Sequence, residues 1–310
     1  MEKRSYVLTK EGEAFIMKAC SGTNSLLQGT NGVMVFSYPE TNKTWIAQPK
    51  DDGGKLITTN AELGKQLIKW YNKYAIIFEL DANILAAQAF QESKYALWAY
   101  PKKRDNPKYD SSATSITQFL IRTLFSVVVK NVFASKEEYR FTENEISAIF
   151  VKNCSGNTNV YETFKVGGVN KIGRYNRPIV HQNAMDNPEI MIKAQFVYMK
   201  HISKLAKNIA STTLYGYNRG EGFIRKESPS YTQTINYSAY REGDDYPKEG
   251  IDYVFRIFNY LGNPESAKYT IDGTKFTNCF GYNKPPFNID CNIANFNKYQ
   301  AETDESNLLY

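Results

Sequence analysis

Asp81-Ala82-Asn83-Ile84-Leu85-Ala86-Ala87-Gln88-Ala89-Phe90-Gln91-Glu92-Ser93-Lys94-Tyr95 is the stretch on which the reading of this chain turns. Asp81 suits an N-cap, because its carboxylate accepts from the backbone N–H groups that a first helical turn leaves unpaired. Alanines at 82, 86, 87 and 89 favour the helix that follows, and Ile84, Leu85, Gln88, Ala89 and Glu92 fall on or near one of its faces. The spacing therefore predicts an apolar helix with a single glutamate, Glu92, at its carboxyl end. A glutamate in that position is more often a solvated surface residue than a functional one, so its companions must carry the case.

Working outward, Leu63, Leu67, Trp70, Tyr71 and Tyr74 recur at helical spacing and predict a helix beginning near Ala61. Before it, residues 1–60 mix short apolar runs such as Gly32-Val33-Met34-Val35-Phe36 with turn formers, and read as loops or short strands of unknown role. Beyond Tyr95, Pro101 and the run Lys102-Lys103-Arg104-Asp105 end the regular structure, and an apolar stretch from Ile116 to Phe133 predicts more helix. Residues 134–186 read as an insertion, with a helix near Glu143 to Val151 and a turn at Gly167-Gly168. Asn187-Pro188-Glu189 then opens a strongly periodic helix through Ile209, because proline suits a first helical turn. A last helix is expected near Ile251 to Leu261, a hairpin turn at Thr270 to Lys275, and a polar tail after Phe296. The fold class is mainly α (α+β): a helical domain over 61–265 containing the insertion, a small β/loop region before it, and a C-terminal hairpin and tail over 266–310.

Composition bounds the function. A 310-residue chain with 42% hydrophobic and 23% charged residues is an ordinary globular protein, and a mean hydropathy of −0.50 argues against a membrane span. The net charge of +6 favours approach to an anionic polymer, and without an arginine-rich run or nucleic-acid motif a cell wall fits better than nucleic acid. Aromatic residues make up 14% of the chain, which suits either an aromatic core or a sugar-binding groove. Cys20, Cys154, Cys279 and Cys291 lack the paired spacing of a zinc site, and no metal or other cofactor is expected. Reduced, buried thiols are the default for them, with a small loop closed by Cys279 and Cys291 as the alternative. Met1 to Tyr6 shows no apolar run after its basic residues, so no signal peptide is read there.

Four separated fragments, in order, resemble the lytic transglycosylase and goose-type lysozyme group of the lysozyme-like superfamily. Gln91-Glu92-Ser93 resembles the family's Glu-Ser motif at the end of an apolar helix. Ser112-Ala113-Thr114-Ser115-Ile116-Thr117-Gln118-Phe119 resembles the turn that leads into an apolar residue and a glutamine lining the cleft. Asn187-Pro188-Glu189-Ile190, with Tyr198 and Met199, is similar to the helix preceding the family's Tyr-Asn motif. Tyr215-Gly216-Tyr217-Asn218-Arg219-Gly220-Glu221-Gly222 resembles the Ala-Tyr-Asn-Ala-Gly signature, and Glu249 with Tyr253-Val254 matches the closing pattern. The resemblance spans roughly residues 81–260 and leaves the first 60 residues and the insertion outside it.

Residue by residue, the resemblance implies that Glu92 protonates the leaving oxygen of a MurNAc-GlcNAc β-1,4 bond in peptidoglycan. The substrate's own C6 hydroxyl or N-acetyl group attacks, and Glu92 then acts as base, giving a 1,6-anhydro-muramic product without a second carboxylate. Tyr217 would orient Glu92 or the sugar. Ser93, Ser115, Gln118, Tyr215, Asn218 and Glu221 would face substrate, with Asn218 also holding its loop and Gly220 and Gly222 supplying positive φ or close approach. Ser115 stands where the family usually has glycine, Thr117 where it has methionine, and Arg219 where a small residue is usual. Other readings stay open. Asp110 or Glu221 as a water-positioning carboxylate would make the enzyme an inverting muramidase; a blocked cleft would make it an inactive glycan-binding or baseplate protein; and activity on a polymer lacking the lactyl ether would make it a chitinase-like glycosidase. The expected partners are glycan strands and a phage tail, conjugation or secretion assembly that brings the protein to the cell wall.

Overall fold

A computed structural model describes residues 6–31, 43–99, 113–150, 162–166, 169–174, 177–206, 210–222, 250, 253–254, 256–257 and 260–261. Of the described residues 63% are helical, in eight α-helices with little sheet, which makes the chain mainly α. In order these are α1 (Lys10–Cys20), the antiparallel pair β1 (Gln28–Asn31) and β2 (Lys43–Ile46), α2 (Asn60–Phe78) and α3 (Ala82–Ser93). The short hairpin β3 (Ala113–Thr114) and β4 (Phe119–Leu120) leads directly into α4 (Ile121–Val128), and α5 (Glu143–Ile149) follows. The pair β5 (Glu162–Val166) and β6 (Val169–Arg174) precedes α6 (Arg177–Asp186), α7 (Pro188–Leu205) and α8 (Ala210–Arg219). The described residues from 250 to 261 are helical as well.

The expectation of loops and short strands over residues 1–60 holds for β1 and β2 but misses α1. Gly12 and the polar residues of Lys10-Glu11-Gly12-Glu13 hide that helix, yet the burial of Phe15, Ile16 and Cys20 gives it one apolar face. Thr9 caps it, its hydroxyl accepting from Gly12 N–H at 3.1 Å. Burial also pushes the Cys20 thiol up to about 12. The helix expected across Ile116 to Phe133 is shorter than that range, because the hairpin occupies its first part. The final hairpin and tail, the turn at Gly167-Gly168, and Cys154, Cys279 and Cys291 lie outside the described residues.

Two units divide the chain, one gathering residues 1–18, 68–91 and 195–310, the other residues 19–67 and 92–194. Aromatic rings organise the first. Phe196 of α7 packs against Phe78 at 5.8 Å, Tyr74 at 6.0 Å and Tyr71 at 6.1 Å, all from α2, and Phe90 meets Phe15 and Tyr260 edge-on at 5.0 Å each. Among the described residues, these rings put part of the aromatic content into a core. Inside it runs a buried polar chain: Tyr71 Oη donates to Gln195 Oε1 at 3.2 Å, and Gln195 Nε2 donates to Leu85 O at 2.9 Å and to Gln88 Oε1 at 2.8 Å. Gln88 Nε2 then reaches Tyr253 Oη at 3.1 Å, so α2, α3, α7 and the segment near residue 253 share one network. Asp81 fulfils its expected role, its Oδ1 accepting from Asn83 N–H at 2.9 Å at the start of α3.

In the second unit α5 begins with a reciprocal cap: Thr142 Oγ1 accepts from Glu145 N–H while Glu145 accepts from Thr142 N–H. The same carboxylate holds the largely buried Lys193 ammonium at 2.8 Å, which also donates to Arg140 O and lies 4.6 Å from the centre of the Phe141 ring. A desolvated cation is tolerable there because its donors and its charge are both answered.

Gln195→Leu removes the middle of the buried chain and strands Gln88 Oε1 and the Tyr71 hydroxyl, so we expect a loss of about 3 kcal/mol at roughly 1–3 per orphaned group. Urea unfolding of the variant beside wild type measures it, and a change below about 0.5 kcal/mol would show that the chain contributes little.

Candidate active site

Glu92 and Ser93 form the last turn of α3. Residues Ala82 to Ala89 of that helix are all buried, whereas Glu92 and Ser93 are half-buried, so the helix delivers one carboxyl group from an apolar interior to a partly accessible edge. Lys94 and Tyr95 follow with φ of 56° and 63°, two consecutive side-chain-bearing residues in the left-handed region. That reversal ends the helix sharply, and Tyr95 is buried by it.

The second resembling fragment is the four-residue turn Ser115–Gln118 between β3 and β4, and it is built against the end of α3. Ser93 Oγ donates to Ile116 O at 2.8 Å. Gln118 Nε2 donates to Ala99 O at 2.8 Å and to Ser115 O at 2.7 Å, and Ser115 N–H donates to Ala99 O at 3.1 Å. Residues before and after the α3 reversal are therefore tied to one turn. Ser115 and Gln118 both have positive φ, 57° and 49°, at its first and last positions. A left-handed backbone at Ser115 is one that glycine adopts at less cost than a side-chain-bearing residue.

These bonds correct part of the expected site. Ser115 has no exposed surface and its Oγ donates to Ala184 O at 3.2 Å, so it cannot face substrate; it anchors the turn to α6. Gln118 is half-buried with its amide nitrogen engaged by backbone carbonyls, which makes it a brace for the turn. Ser93 spends its proton in the same way. Ile116 and Thr117 are fully buried, so the departure from methionine at 117 lies in packing rather than in an accessible groove.

Tyr198, which accompanies the third fragment, and Tyr217 of the fourth come together in the other unit. Tyr217 of α8 is half-buried and packs its ring 5.7 Å from that of Tyr198 on α7. Burial, then the Glu221 carboxylate, pushes the Tyr198 hydroxyl up to about 12, while a hydrogen bond from the Glu221 backbone N–H opposes the rise. Glu221 Oε2 lies 2.6 Å from His201 Nε2, so this carboxylate is paired with a histidine rather than set apart to hold a water. Tyr215 is buried, and its position next to Gly250 explains that glycine: a Cβ there would fall 2.4 Å from the Tyr215 ring and 2.9 Å from Arg219 Cγ. Gly220, with φ 85°, ends α8 in the left-handed conformation, whereas Gly222 shows neither positive φ nor close approach. Asn218 Oδ1 is buried and accepts no hydrogen bond from the described residues, so it does not hold its loop in the expected way. Asp110 and Glu249 lie outside the described residues. Among those described, no group of His, Cys, Asp and Glu is arranged to hold a metal, and no helix is long and apolar enough to cross a membrane.

Two residues escaped the sequence reading. His201 carries no motif of its own and becomes visible only through Glu221. Trp98 stands six residues beyond Glu92, half-buried, with its indole N–H donated to Ser25 O at 2.9 Å. Comparison with protein-family models, curated proteins and solved structures finds no match to this chain.

Ser115 gives a test of the turn. Ser115→Ala keeps the strained backbone and loses the bond to Ala184, and should cost about 1 kcal/mol. Ser115→Gly loses the same bond but relieves a left-handed strain of roughly 1 kcal/mol, so its unfolding free energy should stay close to wild type. Equal destabilisation by both substitutions would remove the conformational argument.

Proposed function

We propose that the chain is a peptidoglycan-cleaving lytic transglycosylase with Glu92 as its acid and then its base, working as part of a phage tail, conjugation or secretion assembly. One observation carries the reading. Glu92 sits at the partly accessible end of a helix buried from Ala82 to Ala89, and its neighbour Ser93 is bonded to Ile116 O, within the second family-like fragment. Support also comes from the pairing of Tyr198 with Tyr217, and from that of Gln88 of α3 with Tyr253, both inside the first unit.

Glycoside cleavage needs a proton on the bridging oxygen as the bond to the anomeric carbon breaks. Glu92 supplies it. The C6 hydroxyl of the same muramic residue then forms a bond to the anomeric carbon, and its proton passes to the Glu92 carboxylate, restoring the acid and leaving the 1,6-anhydro ring. No water enters, so Glu221 is not required as a second carboxylate, in keeping with its pairing to His201.

A glycan-binding protein without turnover is the second reading; the internal use of Ser93, Ser115 and Gln118 counts against these three groups contacting substrate in either reading. Mass spectrometry of soluble products from purified peptidoglycan separates the two. Wild type should release anhydro-muropeptides, while Glu92→Gln, which preserves shape but cannot donate the proton, should lower release at least about 100-fold, the usual worth of a positioned general acid, with an unchanged melting temperature. Reducing ends in place of anhydro ends would make the enzyme a hydrolase, and negligible release from both proteins would favour the binding reading.

A further inference from the structure

We infer that His181 is an acid-released latch: its neutral imidazole holds α6 against β2 and against the hairpin of β3 and β4, and protonation frees both. The inference does not draw on the proposed activity, and its geometry lies wholly in the second unit. His181 has no exposed surface. Its Nδ1 lies 2.6 Å from the Oγ1 of Thr114, which is equally buried, and its ring meets the buried Trp45 indole at 4.6 Å and 87°. One side chain of α6 thus touches β3 and β2 together.

The bonds around it follow the same two directions. Toward the hairpin, Ala184 O, three residues along α6, accepts from Ser115 Oγ at 3.2 Å, so α6 holds the consecutive residues Thr114 and Ser115. Toward β2, Gln182 Nε2 donates to Ile46 O at 2.8 Å and Asp186 Oδ1 accepts from Gln48 N–H at 2.7 Å. These polar bonds are half-buried or exposed at the rim, whereas the His181 ring is enclosed between them, and that enclosure makes it the group most sensitive to charge.

Protonation places a hydrogen on both ring nitrogens and a full charge where solvent does not reach. The attraction of an indole for a cation is smaller than the cost of taking that charge out of water, so Trp45 does not compensate. Neither does a carboxylate already committed elsewhere. On α6 the ionisable neighbours are Arg177, four positions before His181, and Asp186, five after; Asp186 is engaged by Gln48 and Gln182. On α5 they are Glu143 and Glu145, and Glu145 holds Lys193. β2 contributes Lys43, and the segment from Ala113 to Leu120 has no ionisable side chain. In an unfolded chain the imidazole takes its proton near its ordinary value of about 6.5, so below that pH the unfolded state binds more protons than the folded one. The contribution to stability is complete above about pH 6.5 and is lost as the pH falls, with the unfolding constant rising towards tenfold per pH unit.

The chain has two histidines, so NMR of the full protein gives two imidazole signals, which His201→Gln assigns. The His181 signal should keep its neutral position down to about pH 5 while the protein stays folded. Urea unfolding between pH 7 and 5, above the ordinary carboxylate range of about 4, should give a constant that rises by about 20-fold more in wild type than in His181→Gln, whose amide can still bond Thr114 but does not titrate. The comparison cancels whatever His201 contributes. Hydrogen exchange at pH 5.5, corrected for intrinsic rates, should lose protection first at the N–H groups of Gln48 and Ser115. A His181 signal that titrates near pH 6.5 in the folded protein, or equal pH dependence in wild type and His181→Gln, overturns the inference. Protection lost evenly across both units overturns it too, since no latch at α6 would then exist. If His181→Gln does not fold, the NMR titration of the natural chain decides. Peptidoglycan plays no part in these measurements, so their outcome and that of the muropeptide assay are independent.

Discussion

Gln195 sits where four segments need the same hydrogen bonds. Its amide is enclosed by protein, so both ends must find partners within the core: the oxygen takes the Tyr71 proton, and the nitrogen serves Leu85 O and Gln88. Apolar packing between Phe196 and the rings of α2 would tolerate some sliding of one helix along another. The amide chain does not, because a shift of one residue along α7 would leave several buried polar groups unanswered at once. The register of α3 against α7 is set by this chain, and with it the height at which α3 ends and exposes Glu92.

Legibility in the sequence followed from how local each signal was. Helices α2, α3, α5 and α7 were readable because their caps and apolar spacing lie within single windows: Asp81 before α3 and Pro188 opening α7 are each visible without knowing what packs against them. Helix α1 was missed because glycine and charge dominate its first turn, and its apolar face is short. The turn Ser115–Gln118 was noticed for its order of residue types, yet the direction of its side chains was not deducible. Ser115 turns inward to Ala184 and Gln118 folds back on its own hairpin, and both depend on carbonyl groups from segments far away or out of sight in the sequence.

The same asymmetry governs the candidate site. Glu92 and Tyr217 rest on motif resemblance alone, and each is half-buried. Trp98 and His201 were not legible, since nothing in their neighbours announces the partners Gly29, Ser25 or Glu221. Glycines proved the more informative residues once their surroundings were known. Gly29 and Gly250 each make room for an aromatic ring, while Gly220 supplies a backbone angle, two different reasons for one residue type.

Cys20 carries a further consequence of burial. With its thiol pushed up to about 12, Cys20 holds very little thiolate at neutral pH, and thiolate is the form that attacks disulfides and alkylating reagents. The side chain is therefore chemically silent toward both reducing and oxidising surroundings for as long as α1 stays docked. A thiol reagent at this position therefore reports the burial of Cys20 rather than the intrinsic reactivity of a cysteine.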